Sequence, residues 1–428
     1  MSSKPFKIAI AGLGTVGGGV VRALSAHGAE LSQRAGRALT LTGVSARDPK
    51  KDRGFELVGW TADPLELARG DADVVVELIG GEEGIARDLV TQALKNGKHV
   101  VTANKALLAK HGSELAELAE AHGVTLKFEA AAAGGIPILK SLREGLIAQP
   151  VAAVRGILNG TCNYILTEME ITGRPFAAVL KEAQALGYAE ADPTLDVGGG
   201  DTAHKLALLS SLAFGTRPDL DSIAVEGIAH ITPDDIAYAR EFGFRIKLLG
   251  VTRRIGDGIE QTVHPAMVRQ RSPLANVNGA LNGVMVDAGA AGSYFFSGPG
   301  AGEAPTASAV IADIVEAASG GPAPVFGQPA SELQKLTPAD GKAAVAPWYM
   351  RFEVLDEPGV LAQIATHLAE AGVSIESMIQ RGRAPGEPVA IVMITHETAQ
   401  AAVERALKAI AASDKVRSRP CMIPMEAA

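Results

Sequence analysis

Residues 7–24 read KIAIAGLGTVGGGVVRAL, and this stretch decides the fold of the first part of the chain. The apolar run before the glycines predicts a strand, and the periodicity after them predicts a helix. Gly12 allows a tight turn, Gly14 lets a backbone approach a pyrophosphate, and Gly17 lets the helix pack closely on the strand. Because this motif follows a strand and opens a helix, it predicts a dinucleotide site at the helix N-terminus. The alternative is a glycine-rich turn without a ligand.

Further β-branched runs alternate with helical stretches after the glycine motif. Helices are predicted at residues 86–96 and 113–122, and strands at residues 39–44, 73–79, 99–102 and 125–129. Their continuous apolar character is typical of strands that are buried on both faces of a parallel sheet. We therefore predict an α/β fold in which residues 1–136 form a Rossmann-type, doubly wound parallel sheet for dinucleotide binding.

The pattern of the chain changes near Pro137. Longer helices and candidate antiparallel strands predict an α+β domain for substrate binding and dimerisation at 137–299. A helix within about 300–322 would pack back on the first domain and complete it. Residues 323–346 are rich in Gly, Pro and Ala, which predicts a linker. Residues 347–428 alternate strands, predicted at 348–354, 373–375 and 389–394, with helices at 359–371 and 401–411. We therefore expect two helices on one antiparallel sheet.

The composition excludes several classes of protein. The 428 residues carry 40 Lys and Arg against 48 Asp and Glu, and this net charge of −8 without a basic cluster argues against nucleic-acid and membrane-surface binding. Cys162 and Cys421 lie far apart without metal-ligand spacing, so a disulfide framework is excluded. There is no signal-peptide pattern and no apolar run of about 18 residues. We therefore expect a cytoplasmic protein.

The end of the second predicted strand bears on the choice of cofactor. An NAD site usually places a carboxylate there to bind the ribose hydroxyls. This strand instead leads to Arg47, with Lys50 and Lys51 nearby and Asp48 only after the arginine. These cations favour the 2′-phosphate of NADP without excluding NAD. The alternative is a solvated, charged loop that binds nothing.

Two later segments carry charged side chains. Lys105 follows a predicted strand, so it lies at the carboxyl edge of the sheet, where ligands bind in open α/β folds. Taken alone, it would be a surface lysine in a βα loop. Residues 186–205 read LGYAEADPTLDVGGGDTAHK, with four carboxylates on a loop that leads into a helix. Asp201 and Lys205 are four residues apart and share a helix face. The pattern predicts a pocket in which carboxylates hold a substrate ammonium and Lys205 transfers a proton. The alternative is that Asp201 caps the helix and the other acids are solvated.

Six motifs, in this order along the chain, resemble those of the homoserine dehydrogenase family. They are GLGTVG (12–17), TANKALLA (102–109), FEAAAAGGIPIL (128–139), GILNGTCNYIL (156–166), AQALGYAEADPTLDVGGGDTAHKLALL (183–209) and GPGAGEAPTASAV (298–310). The tail DEPGVL at 356–361 resembles the opening of an ACT domain, which long bacterial members of that family carry. The resemblance implies that the C-terminal unit is a ferredoxin-like ACT domain.

The resemblance also implies an activity and its partners. The activity is the reversible NAD(P)-dependent reduction of L-aspartate 4-semialdehyde to L-homoserine, in threonine and methionine biosynthesis. We expect NADP as the cofactor, with NAD also possible, and a monovalent cation such as sodium. A homodimer or homotetramer is expected, with feedback regulation by L-threonine through the ACT domain.

The family pattern assigns roles to individual residues. The expected catalytic residues are Lys205, Lys105 and Asp201. The expected substrate contacts are Glu190, Asp201, Asp196 and Gly187. The family pattern, the glycine motif and the charge of Arg47 together give the expected cofactor-binding residues Gly12, Leu13, Gly14, Thr15, Val16, Gly17, Arg47, Lys105, Gly187 and Gly302. The cation would bind, mostly through backbone carbonyls, at Glu129, Ala132, Gly134 and Ile136.

The chain departs from commoner members of the family at two places. Residues 131–132 are Ala-Ala where Ser-Val is frequent, and residues 198–199 are Gly-Gly where Glu-Gly is frequent. Carbonyl ligation does not depend on the side chain, so the first change is compatible with a cation site. The second change makes the loop more flexible but spares the residues assigned above.

Two other functions remain open from the residues. One is a different amino-acid dehydrogenase on the same fold, such as an aspartate dehydrogenase, against which the segment 190–205 argues. The other is a non-catalytic amino-acid sensor with a degenerate Rossmann fold. The presence of Lys105, Asp201 and Lys205 together argues against that sensor.

Overall fold

A computed structural model describes residues 4–339, 345–381 and 388–426 of the chain. The first sheet contains β1 (Phe6–Ala11), β2 (Leu39–Ser45), β3 (Trp60–Thr61), β4 (Val74–Glu77), β5 (His99–Thr102) and β6 (Leu126–Lys127). All its strands are parallel, in the order β3-β2-β1-β4-β5-β6. The sheet confirms the predicted Rossmann-type fold, although β4 is shorter than the predicted strand and β3 was not predicted.

Helices connect these strands and cover both faces of the sheet. They are α1 (Thr15–Ala35), α2 (Leu65–Arg69), α3 (Ile85–Lys95) and α4 (Lys105–Ala121). The α4 helix begins eight residues before the helix that periodicity indicated near residue 113. The reason is a cap: the side-chain oxygen of Asn104 accepts a hydrogen bond from the backbone N–H of Leu107 at 3.1 Å, which starts the helix directly after β5.

The middle of the chain forms a second layer of strands and helices. Its helices are α5 (Ile138–Lys140), α6 (Gly160–Thr172), α7 (Phe176–Ala185), α8 (Thr194–Val197), α9 (Gly200–Phe214) and α10 (Pro233–Glu241). Its strands are β7 (Ala153–Ile157), β8 (Ala224–Val225), β9 (Phe244–Ile255), β10 (Gly258–Arg269), β11 (Leu281–Asp287) and β12 (Ser293–Pro299). They form a mostly antiparallel sheet in the order β12-β11-β7-β9-β10, and α6 and α9 pack on it. The predicted α+β character is therefore present.

Asp201 does not cap α9, contrary to the capping interpretation of the sequence. Gly199 occupies the N-cap in a left-handed conformation (φ +90°), and Asp201 lies within the first helical turn. A side chain at that φ would be strained, so the glycine starts the helix. Because Gly199 occupies the N-cap, the Asp201 carboxylate is available for other partners.

Helix α11 (Glu303–Ser319) returns to the first sheet and packs against α1. A β-carbon on Gly19 would lie 2.7 Å from Cγ of Glu303, so the glycine permits this close packing. Part of the predicted linker is also packed: Val325, Phe326 and Leu333 are buried. Residues 340–344 lie outside the described ranges.

The C-terminal unit follows the predicted pattern. Its elements are β13 (Val345–Ala346), β14 (Trp348–Leu355), α12 (Val360–Glu370), β15 (Ile375–Gln380), β16 (Pro388–Thr395), β17 (Thr398–Ala399), α13 (Gln400–Ala411) and β18 (Cys421–Glu426). The order β18-β14-β16-β15 with two helices is the predicted ferredoxin-like arrangement. The β15 strand begins later than the predicted strand at 373–375, because the N–H of Val373 bonds the carbonyl of Leu368 at the end of α12.

The C-terminal sheet is continuous with the central sheet. Strand β18 pairs in parallel with β10, with Met267 opposite Met425. On α10, the buried carboxylate of Asp235 accepts hydrogen bonds from the Tyr349 hydroxyl at 2.9 Å and from Nε of Arg351 at 2.6 Å, both on β14. Burial favours a higher pKa for Asp235, but the Arg351 guanidinium holds this pKa below its ordinary value. No helix in the described ranges is long and apolar enough to cross a bilayer.

Candidate active site

Asp201 lies at the centre of a cluster that contains two lysines and an amide. One carboxylate oxygen, Oδ2, accepts hydrogen bonds from Nζ of Lys205 at 2.7 Å and from Nδ2 of Asn159 at 2.9 Å. The other, Oδ1, lies 3.2 Å from Nζ of Lys105. Burial alone would raise the pKa of Asp201, but the two ammonium groups hold it well below its ordinary value. The Asp201 side chain is therefore a carboxylate near neutral pH.

Three elements place these groups in one spot. Asp201 and Lys205 lie one turn apart on α9, on a shared face as the spacing predicted. Lys105 is the first residue of α4, at the carboxyl end of β5. Asn159 caps α6, since its side-chain oxygen accepts a bond from the N–H of Cys162. Nζ of Lys205 also donates to the carbonyl of Leu158 at 2.6 Å, so the lysine is held on two sides.

The sequence did not single out Asn159. The segment 156–166 entered only as a motif of the family resemblance, with no role assigned to the asparagine. In the structure, Nδ2 of Asn159 bridges Asp201 and Asp196, with a distance of 2.8 Å to Oδ1 of Asp196. The signal that could have identified it is an asparagine at an N-cap position, between strand β7 of the central sheet and helix α6.

The other predicted substrate carboxylates occupy the loop before α9. Asp196 is half-buried on α8, and burial raises its pKa above the ordinary value. Glu190 is exposed on the loop between α7 and α8, close enough for its charge to contribute to that rise. The structure thus brings Asp196 to the Asp201 cluster and leaves Glu190 at the solvent-facing side of the same loop.

A cavity of about 670 Å³ opens beside the cluster and reaches the first sheet. Lys105, Asp196, Asp201 and Lys205 line one part of it, and Val16 lies at the other end. The remaining wall comes from five separate segments and includes Gly134, Gly160, Thr161, Gly187, Tyr188, Asn282, Gly300 and Gly302. The cavity therefore joins the glycine motif to the carboxylate–lysine cluster.

The glycine motif has the geometry that a pyrophosphate needs. A β-carbon on Gly12 (φ +97°) would lie 2.4 Å from the carbonyl oxygen of Leu78, and one on Gly17 would lie 2.0 Å from the carbonyl oxygen of Gly12. A β-carbon on Gly14 would meet no atom within 4 Å, so the loop leaves open space in front of the α1 N-terminus. Leu13 is buried, while Thr15 is exposed at that N-terminus. The residues therefore fit a dinucleotide phosphate.

Arg47 lies where the sequence predicted, just beyond the carboxyl end of β2, and is exposed. Strand β2 ends beside β1, because Ser45 pairs with Ala11, so Arg47 is near the glycine motif. A second arginine was not predicted: Nε of Arg53 donates to the carbonyl of Leu13 at 3.2 Å. Arg53 follows the loop of Lys50 and Lys51, and only the fold places it against the glycine motif.

The loop expected to hold a cation is buried between the two domains. Ala133 (φ +55°) and Gly134 (φ +51°) are both in the left-handed region, and the carbonyl of Ile136 accepts the N–H of Ile138. The Glu129 carboxylate accepts the N–H groups of Leu139 at 2.9 Å and Lys140 at 2.8 Å. Burial raises the pKa of Glu129 to about 6. A buried carboxylate of this kind fits a nearby cation, which would stabilise its charge.

The chain leaves the nucleotide-binding domain near Gly134 and returns to it near Gly300. These two crossings lie against each other beside this loop. A β-carbon on Gly134 would lie 2.3 Å from the carbonyl oxygen of Gly300, and the N–H of Gly135 bonds the carbonyl of Pro299 at 3.1 Å. Gly302 (φ +111°) then caps α11. Close approach of the two backbones is the reason for glycine at 134, whereas a β-carbon on Gly300 would collide with the side chain of Asn282.

Comparison with known proteins identifies the family. Residues 12–129 match the model of the homoserine dehydrogenase NAD-binding domain, residues 137–315 the model of homoserine dehydrogenase, and residues 348–414 that of the ACT domain. A homoserine dehydrogenase of Neisseria gonorrhoeae is 48% identical, and the alignment covers 99% of each chain. The chain belongs to the homoserine dehydrogenase family. The crystal structure of a member from Thiobacillus denitrificans has a TM-score of 0.93 at 44% identity, covering 99% of each chain.

Family membership confirms the predicted class of enzyme. The chain is an NAD(P)-dependent oxidoreductase with a nicotinamide-nucleotide domain and a C-terminal ACT domain. A Mycobacterium tuberculosis homoserine dehydrogenase is also similar, at 43% identity over 99% of this chain and 98% of its own. These relatives favour neither the aspartate dehydrogenase nor the non-catalytic sensor that the sequence left open.

The glycine motif yields a test with a matched pair of variants. Gly12→Ala should lower the melting temperature by about 5 °C, because a left-handed φ and a backbone clash add roughly 2 kcal/mol of strain. Gly14→Ala should leave the melting temperature unchanged but raise the dissociation constant for NADPH at least about tenfold, since its methyl group enters the open space. Calorimetry and a fluorescence titration measure the two effects. Equal behaviour of the two variants would contradict these assignments.

Proposed function

We propose that Lys205 is the proton donor when the chain reduces L-aspartate 4-semialdehyde to L-homoserine. The observation that carries the proposal is the buried Asp201 carboxylate held between Lys205 and Lys105. A lysine ammonium fixed by Asp201 and by the Leu158 carbonyl keeps one N–H for a ligand. That third N–H can neutralise an oxygen that becomes negative during reduction.

The cavity indicates which parts of the reaction belong to the cofactor and which to the protein. When bound, the nicotinamide nucleotide supplies or accepts the hydride. The glycine motif binds its pyrophosphate at the N-terminus of α1, and the cavity leads from there to Lys205. Lys105 contacts both cofactor and substrate from the end of β5. Lys205 donates a proton to the carbonyl oxygen in reduction and takes it back from the hydroxyl in oxidation, so alignment and proton transfer come from the protein.

The substrate ammonium binds the acidic loop before α9. Asp201 and Asp196 supply negative charge on the inner side of the cavity, and Glu190 supplies it from the outer side of the loop. Gly187 (φ +79°) lies where cofactor and substrate meet and lets the chain turn without a side chain in the way. Since Glu190 lies exposed on the outer side of the loop, we propose that the loop 187–199 closes over the bound amino acid.

The role of Lys205 is tested by Lys205→Ala. We expect kcat to fall by about a hundredfold to ten-thousandfold, because the developing alkoxide loses its proton donor. Asp201 keeps Lys105 and Asn159 as partners, so the dissociation constant for NADPH should change by less than about twofold. Lys110→Ala is the control, since Lys110 lies on α4 and pairs with Glu82 at the surface. Turnover near the wild-type rate would remove Lys205 from the mechanism.

NADP is the preferred cofactor in our proposal, because Arg47 stands where an NAD-selective site has a carboxylate. Arg47→Ala should raise KM for NADPH at least about tenfold through the loss of a charge-assisted hydrogen bond, while KM for NADH changes little. Arg34→Ala, at the far end of α1, is the control for a lost surface arginine. Initial rates with both cofactors measure the effect. An equal rise in both KM values would place Arg47 outside the 2′-phosphate site.

A monovalent cation such as sodium is proposed at Glu129 and the carbonyls of Ala132, Gly134 and Ile136. Its charge would stabilise the buried Glu129 carboxylate, so the ion has a structural rather than a chemical role. The melting temperature should rise with sodium chloride when choline chloride keeps the ionic strength constant. Glu129→Gln should abolish that dependence. A sodium dependence that survives this substitution would place the ion elsewhere.

Regulation, assembly and domain limits complete the proposal. The ACT domain fits a small-molecule effector, and we propose L-threonine, which should lower the initial rate of the full-length enzyme.

A cytoplasmic homodimer or homotetramer is proposed, for which light scattering gives the mass. The proposed domains are residues 1–136 completed by 300–322, residues 137–299, and residues 347–428 after a connection at 323–346.

A further inference from the structure

Asn282 is a buried asparagine in the wall of the cavity that holds the Asp201 cluster. It lies on β11, opposite Gly298 of β12, and is 1% exposed. Neither its Oδ1 atom nor its Nδ2 atom has a hydrogen-bond partner among the residues that the structure describes. A buried amide without partners is unfavourable, because both polar atoms have lost their bonds to water. Such a side chain in the wall of an active-site cavity indicates a group that binds a ligand.

The backbone that leads into Asn282 is held by a second buried asparagine. Nδ2 of Asn163, on α6, donates to the carbonyls of Gly279 at 2.9 Å and Leu281 at 3.2 Å. Oδ1 of Asn163 accepts a bond from Nζ of the buried Lys247 at 3.1 Å. These bonds fix the segment before β11, so the amide of Asn282 has a fixed place in the wall.

The other side of the amide is covered by glycine backbone. A β-carbon on Gly300 would overlap Oδ1 of Asn282, so Gly300 lies directly against the amide. Gly302, an expected cofactor contact, follows in the same turn with a φ of +111°. Because the amide is almost fully covered, a ligand gains full access to it when this turn shifts away from Asn282. New bonds to the two unpaired polar atoms favour that shift.

The cavity lining restricts the group that Asn282 can bind. The charged side chains of the described lining all belong to the Asp201 cluster, which suits the charged groups of an amino acid. Asn159, the other amide in the described lining, has partners at both ends. Its Oδ1 atom accepts a bond from Cys162, and its Nδ2 atom donates to two carboxylates of the cluster. The unpaired donor and acceptor of Asn282 match a neutral group that also has one of each, as a primary amide does.

We propose that Asn282 binds the carboxamide of the nicotinamide ring. Its Nδ2 atom donates to the carboxamide oxygen, and its Oδ1 atom accepts from the carboxamide NH2 group. Two such bonds fix the rotation of the ring, which the transfer of hydride to one substrate carbon requires. The inference rests on the proposed course of the cofactor from the glycine motif to Lys205, because Val16 of that motif lines the same cavity.

The unpaired amide allows a test of stability without any cofactor. Asn282→Leu has a similar shape and removes two buried polar atoms that lack partners, so the melting temperature of the ligand-free enzyme should rise by about 2 °C. The matched control is Asn278→Leu, because Asn278 is exposed on the same loop outside the cavity. The control should change the melting temperature by less than about 1 °C. A fall of about 5 °C or more in Asn282→Leu would show that the fold itself uses the amide, and would contradict the inference.

The carboxamide is tested with 3-acetylpyridine adenine dinucleotide phosphate, in which a methyl group replaces the NH2 group. The wild-type enzyme should bind this analogue about fivefold more weakly than NADP⁺, because Oδ1 of Asn282 loses its donor. Asn282→Leu should bind NADP⁺ about tenfold more weakly than the wild type, and its affinities for NADP⁺ and the analogue should agree within about twofold. Asn278→Leu should keep the wild-type affinities. Isothermal titration calorimetry measures all of these dissociation constants.

The outcomes separate this inference from the proposed function. If Gly14→Ala leaves NADPH binding unchanged, the proposed course of the cofactor is wrong, and this inference is wrong with it. If Gly14→Ala weakens binding but Asn282→Leu does not, only the contact at Asn282 is wrong.

Two further results would overturn the inference. If Asn282→Leu raises KM for L-homoserine about tenfold and keeps the affinity for NADP⁺, the amide binds the substrate instead. If the wild-type enzyme binds NADP⁺ and the analogue equally well, no bond to the carboxamide NH2 group exists. This last measurement needs no variant, so it decides the question even if Asn282→Leu does not fold.

Discussion

The buried carboxylate of Asp201 is the interaction on which the active site depends. A carboxylate that is 6% exposed is costly without partners, and here two ammonium groups and one amide satisfy it. Those partners come from α9, from the end of β5 and from the start of α6. The charge balance of one side chain therefore aligns the substrate domain with the nucleotide domain, and the cavity forms where they meet.

Much of the fold could be predicted because its signals are local. The glycine motif, the β-branched runs and the spacing of Asp201 and Lys205 each lie within a few residues. The predicted starts of two helices were wrong because a capping residue sets the boundary. Asn104 starts α4 before the predicted position, and Gly199 rather than Asp201 starts α9. A capping bond competes with periodicity, and the sequence alone does not say which of them prevails.

The parts that could not be predicted depend on residues far apart in the chain. Asn159 contacts Asp201 only because β7 and α9 are brought together, and Arg53 reaches Leu13 only through the loop after β2. The pairing of β10 with β18 joins strands separated by about 150 residues, and no periodicity encodes such a pairing. The family resemblance identified the residues with chemical roles, whereas the joining of the two sheets is known from the structure.

The crossings at Gly134 and Gly300 have a consequence for motion. Two chain segments that pass side by side between domains define a single hinge axis, the line that joins the two crossings. Rotation about that line strains neither crossing, whereas twist across it would stretch one of them. A rotation of the nucleotide domain about that line would move Lys105 on α4 relative to Asp201 on α9. A methyl group at Gly134 would force the two crossings apart and displace that line.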